Sequence, residues 1–269
     1  MKIRDTIGLA GVGNMGRAIL EGLLAKKIVC PSQVRVYDKI TARSGAFGRK
    51  WKVAQSGSLR ELARDSRIVV LAFKPQDLRE ISPEAKGMFG KRHCVISILA
   101  GTPIANIRKM TGSGARLVRA MPNLGATVGE SVTALCGTDA GALGLARKIF
   151  SGCGTALFVR EKFMDLVTAV SGSGPAYFFL LMEVLMKECA AGGLSAAQAR
   201  ALVIQTAVGS AKIAGSSAAL PGELRERVTS KGGTTAAALE VLARNDFEGI
   251  FRRAVRAARR RGRELSRGR

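Results

Sequence analysis

A chain of 269 residues, 47% of them hydrophobic, has room for two ordinary domains, yet no uninterrupted apolar run approaches the roughly 20 residues of a membrane helix. Its formal net charge of +23 gives it an attraction for polyanions whatever its evolved function. Five scattered cysteines, an odd number without a CxxC pair, exclude a paired disulfide framework and a CxxC metal site, and fit reduced thiols in a soluble, cytoplasmic protein.

The opening segment, MKIRDTIGLAGVGNMG, starts basic and turns apolar, but the apolar part is short, Gly-rich and broken by Asp5, Asn14 and Arg17, so it is not read as a signal peptide. Residues 6–10 form the first strand candidate. Gly11-x-Gly13-x-x-Gly16 follows it directly, at the start of a helix whose Met15, Ile19 and Leu23 share a face, which is the context a dinucleotide fingerprint requires. Gly11 permits the tight turn, Gly13 lets the backbone approach a pyrophosphate, and Gly16 allows close helix packing. The next strand, 34–38, ends on Asp38, 22 positions after Gly16, where a carboxylate reads the free ribose 2′-hydroxyl of NADH. Lys39 and Arg43 follow at once and can accept the 2′-phosphate of NADPH, so the choice between the two cofactors stays open at this point.

Further strands are expected at 68–73, 94–99 and 117–121, and the alternation with helical patterns implies a parallel α/β sheet of the doubly wound Rossmann type. Phe73, Lys74 and Pro75 stand at the C-terminal end of one of these strands, and Leu99, Ala100 and Gly101 at the end of another, on the side where such sheets bind ligands. Runs 131–136 and 155–159 flank a helix at 140–150 and extend the sheet. Beyond about residue 160 the text is helical, at 162–170, 176–191, 195–214, 234–244 and 247–265, with a capping box, Ser195 to Gln198, marking one helix start. Residues 1–160 are therefore expected to form the dinucleotide-binding domain and 161–269 an all-helical one. Segments such as FFLLMEVLM leave few positions for water, which favours helices buried against a partner chain over one monomeric core. The C-terminal arginines, among them Arg256, Arg259, Arg260 and Arg263, lack interleaved aromatic residues, so a solvated helix is favoured over a nucleic-acid surface.

The single histidine, His93, precedes the strand CVISIL at the edge opposite the ligand crevice, which leaves the crevice without the usual base of an alcohol dehydrogenase. Reduction of a C=N bond demands less, because an iminium carbon is already electrophilic and its nitrogen can carry its own proton. The stretch VTSKGGTT, 228–235, offers the hydroxyls of Thr229, Thr234 and Thr235, and the amides around Gly232, Gly233 and Thr234 at a helix start form a nest suited to a carboxylate. A small imino acid is the implied substrate.

Gly11-Val12-Gly13-Asn14-Met15-Gly16, Lys74-Pro75, Met121-Pro122-Asn123, VSGSGPAYFF at 170–179 and VTSKGGTT together resemble the pyrroline-5-carboxylate reductase family, over residues 3 to about 265. That resemblance implies NADPH- or NADH-dependent reduction of 1-pyrroline-5-carboxylate to L-proline, by a Rossmann domain and a helical dimerisation domain in a homodimer or homodecamer. It implies that Ala10, Gly11, Val12, Gly13, Asn14 and Met15 line the pyrophosphate. Asp38 then stands at the adenosine ribose, and Phe73, Lys74 and Ala100 flank the nicotinamide. Glu161, Ser230, Gly232, Gly233, Thr234 and Thr235 surround the substrate, with the Thr235 hydroxyl as proton donor to the ring nitrogen. Two departures stand out: Lys231 occupies a place that is usually Pro, and Leu124-Gly125 follow Met-Pro-Asn where Thr-Pro is usual. A reductase of another cyclic imino acid, or a basic nucleic-acid-binding protein on the same scaffold, are the competing readings.

Overall fold

The computed structural model describes residues 2–77, 80, 81, 85, 87–112 and 114–266. Eight strands form one sheet: β1 Ile7–Ala10, β2 Val34–Tyr37, β3 Ala54–Gln55, β4 Ile68–Leu71, β5 Cys94–Ser97, β6 Arg116–Met121, β7 Ser131–Gly137 and β8 Gly154–Phe158. Their order is β3-β2-β1-β4-β5-β6-β7-β8. Every neighbouring pair is parallel except β6 with β7. The exception follows from the connection, a short turn around Leu124–Val128 with no crossover helix, which cannot carry the chain back to a parallel start. The seven sequence-expected strands are all present; the two-residue edge strand β3 is additional, and both its residues are exposed.

Strands β1, β4 and β5 are buried along their whole length, as apolar strands covered on both faces must be. One face packs on Ile19, Leu20 and Leu23 of helix Asn14–Ala25 and on Phe150 of helix Ala140–Phe150. The other packs on Leu59 and Leu62 of helix Leu59–Asp65 and on Ile107 and Met110 of helix Ile104–Thr111. From β1 the chain moves outward to β2 and then returns to β4 on the other side, so the direction of winding reverses between β1 and β4. Ala10 is level with Tyr37 and Leu71, and Leu71 with Ser97. Four strands therefore end at one height, and the backbone leaving them opens the crevice such sheets use for ligands.

By internal contacts the chain divides into Met1–Ser173 with Ala258–Arg269, and Gly174–Ala257. The first unit thus runs past the boundary expected near residue 160. It includes the segment expected as one helix at 162–170, which is broken into Glu161–Phe163, Met164–Val167 and a wide turn at Thr168–Gly172. The wide turn has a local cause: Thr168 Oγ1 donates to the Met164 carbonyl at 2.8 Å, while the Ser173 amide donates to the Thr168 carbonyl at 2.8 Å.

The second unit is helical. Helices Gly174–Ala191 and Ala196–Ser216 pack on each other, and the Ser195–Gln198 capping box forms in both directions. Pro221–Arg227 is a further helix, begun by Pro221 and by Glu223 accepting the Leu220 amide. Thr234–Arg244 and Phe247–Ser266 complete the helical series, the last helix running on into the first unit's C-terminal portion. The final three residues of the basic run, 267–269, lie outside the described ones. Arg252, Arg253 and Arg261 of that run pair with Glu248, Asp246 and Glu264.

Phe178, Phe179, Leu180 and Leu181 are each more than half exposed, four in a row, so apolar surface lies all round one helix. By length and composition Glu161–Ala191 is apolar enough to cross a membrane, with a mean hydropathy of 1.3, although charged residues such as Glu183, Lys187 and Glu188 interrupt it.

Candidate active site

A cleft of about 370 Å³ opens at the level strand ends, between the β1 and β4 termini. Its floor is the glycine fingerprint, and the three glycines differ in what surrounds them. Gly11 has φ 104°, and a Cβ there would sit 2.6 Å from the Ala72 carbonyl carbon. A Cβ on Gly16 would strike the Gly11 carbonyl oxygen, so this position fixes how closely the helix meets the strand. A Cβ on Gly13 would meet nothing within 4 Å. The backbone is thus bare where it faces the cleft, and Gly13 begins helix Asn14–Ala25 with no side chain capping it. Bare backbone at an uncapped helix start fits a pyrophosphate.

Asp38 closes the other end. It is buried, and its Oδ2 accepts the Val12 amide at 2.7 Å while Oδ1 accepts the Ile40 amide at 2.9 Å. One carboxylate therefore ties the fingerprint loop to the end of β2 while still lining the cleft. Lys39 Nζ donates to Asp77 Oδ1 at 2.7 Å and lies 3.6 Å from Glu80. Their hydrogen bond raises the Lys39 pKa and lowers that of Asp77. Arg43 lines the same cleft.

Of the sequence-expected cofactor residues, Ala10, Gly11, Gly13, Asp38, Phe73 and Lys74 line the cleft together. The Val12 side chain is buried in the core, Met15 packs against that core, and Asn14 stands exposed in the first helical turn. Ala100 is outside the lining; its carbonyl accepts the Thr102 hydroxyl at 3.4 Å. Gly101 beside it, at φ 65°, packs against the C-terminal helix, where an added Cβ would lie 3.0 Å from Leu265 Cβ. The cleft also takes Tyr37, Gln76, Asp77 and Ile81, which sequence reasoning missed. Asp77 alone carried a signal, an acid three residues after Lys74.

Glu161 belongs to a different part of the first unit. Its Oε1 accepts the Ile104 amide at 2.7 Å and lies 3.6 Å from Arg119 Nη1, while Arg119 Nη2 lies 3.7 Å from Asp165. Arg119 is buried on β6, so two carboxylates answer one desolvated cation. Nearby, two of the sequence motifs meet. Asn123 Nδ2 donates to Ser171 Oγ at 3.1 Å, and a Cβ on Gly172 would lie 2.6 Å from Met121 Cε. Asn123 Oδ1 accepts the Gly125 amide at 3.1 Å, and a Cβ on Gly125 would approach the Glu130 carbonyl oxygen to 2.6 Å. Proline at 125 would lose the amide and make that clash, which fits glycine there; nothing in the structure explains Leu124.

The 228–235 loop lies wholly in the helical unit. Thr229 Oγ1 donates to the Arg225 carbonyl at 2.6 Å, which engages one of the three candidate hydroxyls. Gly232 has φ 72°, and the Gly233 amide donates to the Ser230 carbonyl at 3.0 Å, turning the chain into helix Thr234–Arg244. Gly233 is the N-cap, and no side chain caps the helix. Thr235 is half-buried, whereas Ser230, Lys231 and Thr234 are exposed. The amides at this start can receive an anion, and Thr235 is one residue inside it.

His93 is buried: Nδ1 accepts the Gly90 amide at 2.8 Å, which leaves Nε2 to donate to the Ala63 carbonyl at 3.0 Å. Both nitrogens are spent on the backbone, so the histidine is structural. Burial pushes the thiols of Cys94, Cys136 and Cys153 up to about 11, so they are inert at neutral pH.

Comparison with known proteins places two family models on the chain: "pyrroline-5-carboxylate reductase dimerisation" over residues 161–265 and "NADP oxidoreductase coenzyme F420-dependent" over residues 6–101. The chain is 38% identical to pyrroline-5-carboxylate reductase of Synechocystis sp., covering 96% of this chain and 97% of that one. Its fold matches a pyrroline-5-carboxylate reductase structure from Coxiella burnetii with a TM-score of 0.90 at 34% identity, over 98% and 99% of the two chains. It matches a Plasmodium falciparum pyrroline carboxylate reductase with NADP bound at 0.86 and 30% identity, over 99% and 100%.

Proposed function

Because the chain belongs to the pyrroline-5-carboxylate reductase family, a group of NAD(P)H-dependent oxidoreductases that reduce 1-pyrroline-5-carboxylate to L-proline, we propose which of its residues carry each part of that reaction. The single observation behind the cofactor assignment is the cradle at Gly11, Gly13 and Gly16, closed by Asp38, where bare backbone faces a cleft.

NADPH or NADH, when bound, supplies the hydride that the C=N carbon accepts. The protein's part is binding, orientation and one proton. Ala10 to Met15 bind the pyrophosphate through backbone, Asp38 the adenosine ribose, and Phe73, Lys74 and Ala100 the nicotinamide end. The helix-start amides around Gly232, Gly233 and Thr234, that of Gly233 shared with the Ser230 carbonyl, bind the substrate carboxylate, with Ser230 and Glu161 beside the substrate. The Thr235 hydroxyl hydrogen-bonds the ring nitrogen and is the proton donor as that nitrogen becomes an amine. No histidine is needed, because the imine can arrive protonated. Lys231 is exposed and remains solvated.

Chain assembly is the second part of the reading. The apolar surface of Phe178 to Leu181 lies inside the segment that matches the dimerisation model, which supports a homodimer covering that surface rather than a membrane span; a homodecamer and a cytoplasmic location complete the reading. A dinucleotide domain at 1–160 and a helical domain at 161–269 then divide the work, the first holding the cofactor and the second providing assembly and most of the substrate contacts.

The test is oxidation of NADPH and NADH with a panel of cyclic imino acids. Turnover is expected to be fastest with the five-membered 1-pyrroline-5-carboxylate. Preference for a six-membered imine would assign the chain to another substrate. Thermal protection by DNA at moderate salt, without protection by either dinucleotide, would favour the nucleic-acid reading that the charge of +23 raises.

A further inference from the structure

The cleft presents three cations, Lys39, Arg43 and Lys74, and among the described residues only Lys39 is held by carboxylates. Its two partners differ. Asp77 is mostly buried, with 16% of its side chain exposed, and is anchored a second time because its Oδ2 accepts the Lys74 amide at 3.3 Å. Glu80 is 72% exposed and contributes from 3.6 Å. Lys39 is half exposed and comes to Asp77, not the reverse. The acid is thus part of the turn Pro75–Asp77 at the end of β4, and it draws the cation that follows Asp38 across the cleft.

We propose that Asp77 sets the preference between NADH and NADPH by holding Lys39 away from a 2′-phosphate. The proposal rests on reading this cleft as the dinucleotide site. A nucleotide with a free 2′-hydroxyl needs no cation and is served by Asp38. A 2′-phosphate is a dianion at neutral pH, and it must compete with Asp77 and Glu80 for Lys39 while Arg43 is the remaining cation beside Asp38. The Asp77–Lys39 pair therefore lowers the advantage NADPH would draw from two cations, and keeps both cofactors usable. Asp77 is in this sense a positioning residue, acting through Lys39.

The experiment compares kcat/KM for NADPH and NADH in the full-length wild type, Asp77→Asn, Asp77→Glu, Lys39→Gln and the Asp77→Asn/Lys39→Gln double variant. Calorimetry of 2′,5′-ADP and 5′-AMP is run alongside as a readout independent of turnover. Asp77→Asn keeps an oxygen for the Lys74 amide, so the turn is retained. It is expected to raise the NADPH-to-NADH ratio about three- to tenfold, the scale of an ion pair of this exposure with a neighbouring charge removed. It should tighten 2′,5′-ADP relative to 5′-AMP in the same proportion, Asp77→Glu should stay near the wild-type ratio, and the gain should vanish in the double variant. An unchanged ratio in Asp77→Asn, or a gain that survives loss of Lys39, would overturn the proposal while leaving the cofactor site intact. Failure of both nucleotides to bind the wild type would instead remove the cofactor reading, and the proposal with it.

Discussion

Asp38 accepts the Val12 amide at 2.7 Å across 26 residues of sequence, so the acid at the end of β2 and the glycine loop at the end of β1 are one structural unit. The carboxylate proposed to read the ribose thus also holds the loop proposed to meet the pyrophosphate. In that reading affinity and cofactor choice are coupled at one buried group.

Replacing Asp38 with serine should therefore do two things at once. Losing a buried hydrogen bond to a charged group costs about 1.5–3 kcal/mol, which should appear as a lower Tm and a raised KM for both cofactors. Removing the carboxylate from the ribose side should also shift the kcat/KM ratio toward NADPH. A fall in Tm with an unchanged ratio would show that Asp38 holds the loop and does not read the ribose.

Gly233→Val tests the anion site at the other end of the molecule's chemistry. A Cβ there would already lie 3.2 Å from the Ser230 carbonyl and 2.5 Å from its hydroxyl, so a branched side chain crowds the turn and covers the amides. Losing hydrogen bonds to a carboxylate should raise KM for the imino acid by about tenfold or more, with a smaller effect on the KM of NADPH. Equal rises in both would place the defect in folding.

Light scattering at micromolar concentration should give a dimer or a multiple of it, because Phe178, Phe179, Leu180 and Leu181 are too exposed for a lone chain. Phe179→Asp with Leu180→Asp should weaken assembly. A stable monomer for the unaltered protein would contradict the partner-covered helix.

The buried thiols give a pH dependence with a definite sign. Their pKa values are raised to about 11 from 9.0, so the stability they contribute is fully present below about pH 9 and is lost as pH climbs toward 11. At pH 8 a thiol reagent should modify exposed Cys30 first and reach Cys94, Cys136 and Cys153 only on unfolding. Rapid labelling of those three in the native protein would show that the core opens.

The sheet was legible because its signals are local. Runs such as IGLA and IVVL carry their burial in their composition, and the Gly11, Gly13 and Gly16 spacing carries its backbone demands. Helices Ala140–Phe150 and Thr234–Arg244 matched their expected bounds, each beginning at a residue that stops a strand or turn. The edge strand β3 was too short to show a period, and Pro221–Arg227 is too brief and too polar to show an apolar face. What sequence reasoning missed at the site is non-local: Lys39 meets Asp77 across 38 residues, and Glu161 meets Ile104 across 57. No local pattern marks such pairs, since the strand order decides which ends become neighbours. The exposure of helix Gly174–Ala191 was legible as composition, and the partner chain proposed to cover it leaves no further mark in the sequence.

The most direct test of the proposed chemistry is the pH profile of kcat/KM for Thr235→Ala beside the wild type, with 1-pyrroline-5-carboxylate and a saturating dinucleotide. A positioned proton donor contributes about 10²–10⁴-fold, and a substrate that can arrive protonated relieves part of that, so the loss should sit at or below the lower end and widen as pH rises. Wild-type kcat/KM across the whole range would reduce Thr235 to a residue of the helix start and send the proton to water or to another group.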